Sequence, residues 1–266
     1  MVSNLQMLVK GDQAQSNFIF NRYKSKSQIA RILSEGWLSS EMYCPCCLNE
    51  RIEKYPNNKK ASDFFCQICG NEFQAKSARK PFGRKVLDGE YYTMMSFIQS
   101  SKTPNFFFMR YSPEEWIVKD LTVVPKFFVS ASAIEKRKPI SIGKEREGWI
   151  GCNILMNMIP EHGRIIIIRD EKIVDKFDVN TAWKKMAFLN TKKPNLRGWT
   201  ADVLKCIEEL GKHEFRLDDL YKYEESLKQL HQENQHIKAK IRQQLQILRD
   251  NNIISFNSRG NYSLIR

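Results

Sequence analysis

The sequence predicts a mixed α/β (α+β) chain with two domains, one over residues 1–190 and a smaller one over residues 191–266. Three observations lead to this prediction. Four cysteines in two CxxC pairs stand early in the chain and predict a metal site inserted in the first domain. Segments rich in aromatic and β-branched residues alternate with amphipathic segments as far as residue 188. Beyond residue 198 the pattern changes to three helices followed by a β-hairpin.

The two cysteine pairs have the spacing of a zinc site. Cys44 and Cys47 form the first pair, and they are followed after eighteen residues by Cys66 and Cys69. Two such turns present four thiolates to one ion, so these residues predict a closed, structural Zn²⁺ site. Cys46 is left over by this spacing. The alternative is a set of free or disulfide-bonded cysteines, which the paired arrangement disfavours.

Composition limits the class of protein. The chain has 266 residues, 42% of them hydrophobic, which is enough for substantial cores. Its net charge of +13 favours a polyanionic partner, nucleic acid first, although a merely basic protein is the alternative. No signal peptide and no apolar run of bilayer-spanning length is apparent in the sequence. We therefore expect a cytoplasmic protein whose reduced thiols can bind metal.

The first domain is predicted to contain three helices and several strands. The helices are expected near residues 26–34, 88–100 and 180–188. The strands are expected at residues 63–65, 72–76, 105–110, 121–124, 127–129 and 164–168. In the first helix, Ile29, Ile32 and Leu33 should face inward.

The second domain follows a predicted linker at residues 190–198, which are polar, basic and broken by Pro and Gly. The next expected elements are helices at 200–210, 218–231 and 234–250 and a hairpin made of 253–256 and 262–265. Thr200 and Asn234 are the expected caps of the first and third helices. Three helices followed by a hairpin is the order of a winged helix, a variant of helix-turn-helix.

The last of these helices has an apolar and a polar face. The apolar residues are Ile237, Ile241, Leu245 and Leu248, which should pack inward. The residues predicted to bind DNA are His236, Lys238, Ala239, Arg242, Gln243 and Gln246, together with Arg259 at the tip of the hairpin. Arg suits guanine edges and Gln suits adenine edges in the major groove. The alternative is an ordinary solvated helix face.

A D-x10-QxK pattern surrounds the second cysteine pair. Glu72, Gln74 and Lys76 would share one face of a strand, and a neighbouring strand could bring Asp63 beside them. Asp63 and the side-chain carbonyl of Gln74 could then hold Mg²⁺, with Lys76 stabilising charge on a phosphate. The bare pattern occurs by chance in many proteins, so it depends on the zinc pairs and the winged helix for support.

Several stretches resemble the DpnI-like, or Dam-replacing, restriction endonucleases, which cleave DNA at adenine-methylated GATC. They are residues 26–33, 43–47, 61–69, 104–108, 148–153, 197–200 and 234–250, so the resemblance covers nearly the whole chain. It implies a PD-(D/E)xK nuclease domain with a zinc site, catalytic positions at Asp63 and Lys76, catalytic Mg²⁺, and a winged helix that also reads double-stranded DNA. We expect a monomer in solution.

The sequence departs from this family at Gln74, where the family has an acidic residue. Glutamine keeps an oxygen ligand but removes one negative charge, which should weaken Mg²⁺ binding. Glu72, on the same predicted face, could compensate.

Trp149 lies between glycines in residues 147–151 and matches a tryptophan of the resembling family. An aromatic ring can cover a methyl group in the major groove, so we expect Trp149 to contact the N6-methyl groups of Gm6ATC. The alternative is a core tryptophan.

The predicted function is thus a methyl-directed endonuclease. Its rivals are a non-catalytic zinc-ribbon and winged-helix DNA-binding regulator, and a DNA-repair or RNA-processing nuclease without methyl preference.

Overall fold

The computed structural model describes residues 2–8, 19–56 and 62–265. The strands in chain order are β1 (Glu53–Lys54), β2 (Phe64–Phe65), β3 (Glu72–Ala78), β4 (Lys85–Glu90), β5 (Asn105–Ser112), β6 (Ile117–Val124), β7 (Ile134–Lys136), β8 (Gly151–Leu155), β9 (Ile165–Arg169), β10 (Lys172–Ile173), β11 (Glu214–Arg216), β12 (Ile254–Ser258) and β13 (Asn261–Leu264). The α-helices are α1 (Lys26–Glu41), α2 (Tyr91–Gln99), α3 (Lys176–Met186), α4 (Pro194–Glu209), α5 (Leu217–Tyr221), α6 (Glu224–Leu230) and α7 (Ile237–Asp250). The predicted mixed α/β class is confirmed.

The chain divides into two compact units. The first comprises residues 1–83, 103–126 and 164–184, and the second comprises residues 84–102, 127–163 and 185–266. Among the described residues, no helix has the length and apolar character needed to cross a bilayer.

The first unit is built on a mixed sheet whose described strands have the order β1-β2-β3-β5-β6-β9-β10. Strands β3 and β5 run parallel, and the other neighbours run antiparallel. Phe106, Phe107 and Met109 on β5 are all buried, as expected for a central strand covered on both faces. Phe73 of β3 stacks on Phe107, with ring centroids 5.0 Å apart.

Helix α1 packs on β3, where the Ser34 hydroxyl lies 3.1 Å from that of Ser77. The helix continues to Glu41, beyond the end predicted at residue 34. Trp37 and Leu38 extend its apolar face and are buried, so the core stabilises two further turns.

The second unit contains a three-stranded antiparallel sheet in the order β4-β8-β7. Helix α2 follows β4 directly. It begins at Tyr91, later than predicted, because the Glu90 carboxylate accepts hydrogen bonds from the N–H groups of Tyr92 and Thr93 and caps the helix. The strand predicted at residues 127–129 is wrong. Residues 126–128 form a 3-10 turn, which lets Phe127 and Phe128 both be buried.

The same unit ends in helices α4 to α7 and a sheet in the order β11-β13-β12. The helix-turn-helix with a hairpin is therefore confirmed, with an additional short strand, β11, that the sequence did not predict.

The prediction that residues 190–198 form a linker is wrong for residues 194–198. Helix α4 begins at Pro194, which suits a first helical turn, and Arg197 is already buried there. Thr200 lies inside the helix and is not its cap. Its hydroxyl donates to Gln244 Oε1 at 2.8 Å, and both residues are fully buried.

The two helices after α4 also differ from the prediction. The segment expected as one helix over 218–231 is broken between Tyr221 and Glu224. Helix α7 begins at Ile237, with His236 as its N-cap residue. Asn234 accepts a hydrogen bond from the N–H of His236 at 2.8 Å, so it shapes the preceding turn and does not cap the helix.

Candidate functional site

The four predicted zinc ligands come together in the first unit. The sulfurs of Cys44, Cys47, Cys66 and Cys69 all lie within 4.8 Å of one another. The Cys44–Cys69 and Cys47–Cys66 sulfur pairs are 3.6 and 3.5 Å apart. Sulfurs about 2.3 Å from a tetrahedral zinc lie roughly 3.7 Å from each other, so this donor set fits Zn²⁺.

Each cysteine pair is held by a tight turn. Leu48 N–H donates to Cys44 O, and Gly70 N–H donates to Cys66 O, both at 2.9 Å. The φ angles of Leu48 and Gly70, 62° and 67°, are left-handed, and glycine adopts this conformation without strain. The first turn is also tied to α3, because the Asn180 side chain donates to Cys46 O at 2.7 Å.

The surroundings of the cysteines shift the pKa values of their thiols in different directions. Burial raises the pKa of Cys44. Burial also opposes ionisation of Cys69, but hydrogen bonds from Asn71 lower the pKa of its thiol to about 7. A dication supplies the charge that makes buried thiolates stable. Cys46 is outside the four-sulfur group, and burial raises the pKa of its thiol to about 12.

Asp63 stands immediately before β2, three residues ahead of Cys66. Its carboxylate accepts a hydrogen bond from the backbone N–H of Ala75 at 2.8 Å. Ala75 lies in β3 between Gln74 and Lys76, which share the opposite face of the strand from Phe73. Asp63 is therefore attached to the strand that carries the other two residues of the predicted pattern.

The electrostatic surroundings of Asp63 include a carboxylate that the sequence pattern did not reveal. Burial raises the pKa of the Asp63 carboxyl, and the Ala75 hydrogen bond lowers it. The charge of Glu35 raises this pKa further, while Arg31 and Lys76 lower it. Glu35 thus belongs to the same charged group as Asp63 and Lys76.

Glu35 lies on the buried side of α1, and its side chain is only 7% exposed. Arg31 Nε and Lys54 Nζ pair with its two oxygens at 2.5 and 2.8 Å. Glu35 was missed in the sequence because the helix was predicted to end at residue 34. A charged residue between the apolar residues Leu33 and Trp37 could have indicated a buried carboxylate.

Glu72 is the first residue of β3 and shares a face of the strand with Gln74 and Lys76, as predicted. Its carboxylate accepts hydrogen bonds from the Tyr55 hydroxyl at 2.7 Å and from the Ser62 hydroxyl at 2.9 Å. These bonds connect the start of β3 to the segments on either side of β2. The carboxylate that raises the pKa of Asp63 is that of Glu35.

Trp149 is half-buried in the second unit, at the base of the loop between β7 and β8. Its ring folds over Gly151: a Cβ at that position would lie only 2.7 Å from the indole Cζ3. Gly151 therefore makes room for the ring. The ring is neither fully buried nor fully exposed. Its burial is therefore intermediate between that of a core tryptophan and that of a ring free to contact DNA.

The predicted DNA-reading residues of α7 are all exposed: His236, Lys238, Ala239, Arg242, Gln243 and Gln246. Arg242 donates to the Tyr221 hydroxyl at 2.7 Å, and Lys238 pairs with Glu224 at 3.3 Å. The apolar residues predicted to face inward are buried, as is Gln244. Arg259 is exposed at the turn between β12 and β13, where Gly260 has a φ of 75°.

Comparison with known families covers both parts of the chain. A family model described as DpnI, the Dam-replacing family, matches residues 14–192. A second model, described as the Dam-replacing HTH domain, matches residues 195–264. The first match includes the cysteine group, Asp63, Gln74, Lys76 and Trp149, and the second includes α7 and the hairpin.

Proposed function

We propose that this chain hydrolyses double-stranded DNA at adenine-methylated GATC. The proposal proceeds from its family: the chain belongs to the Dam-replacing (DpnI) family. Membership implies a methylation-dependent restriction endonuclease, and the helix-turn-helix implies DNA binding. The observation that carries the site assignment is the hydrogen bond that fastens Asp63 to the strand of Gln74 and Lys76. The pairing of β3 with β5 and the packing of α1 on β3 support a PD-(D/E)xK arrangement.

The proposed division of labour places the nuclease and zinc site in residues 1–190 and the winged helix in residues 191–266. The two family matches support it, because one ends at residue 192 and the other begins at residue 195.

Asp63, the side-chain carbonyl of Gln74 and Glu35 would hold Mg²⁺. These are the hard oxygen donors that Mg²⁺ prefers, and Glu35 provides the second negative charge that Gln74 lacks. Arg31 and Lys54 contact the two oxygens of the buried Glu35 carboxylate, and the metal would replace one of these cations. When bound, Mg²⁺ supplies positive charge that polarises the scissile phosphate and acidifies water.

The chain's own residues then position and stabilise the reacting groups. The Ala75 N–H holds the Asp63 carboxylate in one orientation. Lys76 would donate a hydrogen bond to the phosphate and stabilise the charge that develops on it. The zinc site is structural: it binds the knuckle that begins at Cys66 and so fixes the chain segment that carries Asp63.

DNA recognition is assigned to two surfaces. Trp149 would cover the N6-methyl groups, since a half-buried ring can lose its remaining exposure on binding. The exposed face of α7 would enter the major groove, where Arg242 and Gln243 suit base edges and Arg259 suits the phosphate backbone.

One observation favours a second function. The resemblance to the family implies an acid at the position of the neutral Gln74, and a non-catalytic DNA-binding regulator would not need that acid. Glu35 favours the nuclease, because its charge acts on Asp63 and could supply the negative oxygen donor that Gln74 lacks.

The test is digestion of methylated and unmethylated plasmid, with Mg²⁺ or with EDTA. We expect cleavage of the methylated plasmid only, and only with Mg²⁺. Binding without cleavage by the wild-type protein would favour the regulator. Equal cleavage of both plasmids would indicate a nuclease without methyl preference.

A further inference from the structure

The segment between β7 and β8 is an ordered loop. At its base, Ile140 N–H donates to Trp149 O and Gly148 N–H donates to Ile140 O, both at 3.0 Å. At its tip, Gly143 N–H donates to the Glu147 carboxylate at 3.0 Å. These bonds brace the backbone at the base and at the tip of the loop.

Ile142 is the apolar residue at this tip, and it is 87% exposed. The turn uses Gly143 in a left-handed conformation, with a φ of 81°, but it needs no apolar side chain beside it. A single exposed isoleucine is ordinary on a protein surface. Ile142 is, however, the most exposed of the large apolar residues that the structure describes.

Exposed cations lie on both sides of Ile142 along the loop. They are Arg137, Lys138, Lys144 and Arg146. One of the loop acids, Glu147, is engaged by Gly143 N–H and serves to shape the tip. This arrangement suits double-stranded DNA. The cations could bind the phosphates that border the major groove, and the apolar side chain could contact a methyl group exposed on a base inside it.

We propose that Ile142 reads the thymine of the methylated site by contacting its C5-methyl group in the major groove. The inference rests on the proposed function, because it takes Gm6ATC as the bound DNA. The thymine C5-methyl and the adenine N6 position both project into the major groove of the same base pair. In this proposal the loop would offer Trp149, at its base, to the N6-methyl and Ile142, at its tip, to the C5-methyl, while the flanking cations bind phosphates.

Uracil in place of thymine tests this contact, because it removes only the C5-methyl group. Fluorescence anisotropy would measure the affinity of the full chain for methylated duplexes with thymine or uracil in the site, with Ca²⁺ replacing Mg²⁺ to suppress cleavage. We expect the wild type to bind the uracil duplex about fourfold more weakly, the value of one buried methyl. Ile142→Ala should bind both duplexes equally.

Leu87→Ala is the matched control, since Leu87 is also exposed, by 64%, on β4 of the same sheet. It should keep the fourfold thymine preference. Trp149→Ala should keep it as well, while losing the preference for methylated adenine. This separates the thymine contact from the methyladenine contact.

Two results would overturn the inference: a wild type indifferent to uracil, or an Ile142→Ala variant with an undiminished thymine preference. Failure of the proposed function has another signature, equal wild-type affinity for adenine-methylated and unmethylated duplexes. The thymine-to-uracil ratio is measured independently of that comparison.

Discussion

The Asp63 carboxylate accepts a hydrogen bond from the Ala75 N–H at 2.8 Å, which joins the segment before β2 to the middle of β3. Ala75 is flanked by Gln74 and Lys76, so one bond sets the position of the carboxylate relative to both. The turn that begins at Cys66 follows Asp63 closely in the chain, and the predictions below follow from this arrangement.

Asp63→Ala and Lys76→Ala should abolish cleavage while leaving DNA binding intact. Losing a metal ligand or a charge-stabilising donor should lower the cleavage rate by at least about a hundredfold. Rates on methylated plasmid and affinities by anisotropy measure the two properties separately. Lys172→Ala, at an exposed position on β10, is the control and should cleave normally. Undiminished cleavage by Asp63→Ala would remove this site from consideration.

Glu35→Gln should weaken divalent-metal binding by about tenfold or more, since it removes a charge and keeps the side-chain shape. Calorimetric titration with Mg²⁺ in the absence of DNA reads this out without relying on activity. Glu41→Gln, at the end of the same helix, is the matched control and should bind metal as the wild type does. Unchanged metal affinity in Glu35→Gln would show that its ion pairs with Arg31 and Lys54 are purely structural.

Gln74→Glu should strengthen Mg²⁺ binding and leave cleavage intact or faster, because it adds a negative charge at an existing oxygen ligand. The same calorimetric titration and plasmid assay measure both effects. Loss of cleavage in a variant that remains folded and binds DNA would assign Gln74 a role other than metal ligation.

Cys66→Ser should lose the zinc and lower the thermal stability of the chain, because structural zinc contributes directly to the free energy of folding. Metal analysis should give one zinc per wild-type chain and much less than one for the variant. Cys46→Ser is a close control, since Cys46 is next to a ligand but outside the four-sulfur group. Wild-type protein that is well folded with less than half an equivalent of zinc would contradict the assignment.

Trp149→Ala should reduce affinity for methylated sites far more than for unmethylated ones. The ring would otherwise cover apolar methyl groups, and its removal leaves them in water. Affinity for paired methylated and unmethylated duplexes gives the ratio directly. Trp116→Ala, which removes another half-buried tryptophan, should leave the ratio unchanged. A folded Trp149→Ala variant with the full wild-type ratio would mean that another residue reads the methyl group.

The sequence alone predicted those features that depend on residues close together in the chain. CxxC pairs present sulfurs to one ion through the geometry of a single turn, so their spacing predicted the group that Cys44, Cys47, Cys66 and Cys69 form. The period of α7 likewise predicted its buried and exposed faces, because a helix fixes which residues share a side.

The tertiary structure decided what depends on partners distant in sequence. Glu35 influences Asp63 only because α1 packs against the sheet, and no spacing rule relates a helix residue to a carboxylate beyond the first cysteine pair. Pro194 and Gly198 looked like a linker, yet these residues are helical because α7 buries the side of α4 that bears Thr200. Pro194 is favourable at the first helical position, and the cost of about 1 kcal/mol for Gly198 inside the helix is smaller than the gain from burying one large apolar side chain such as Trp199.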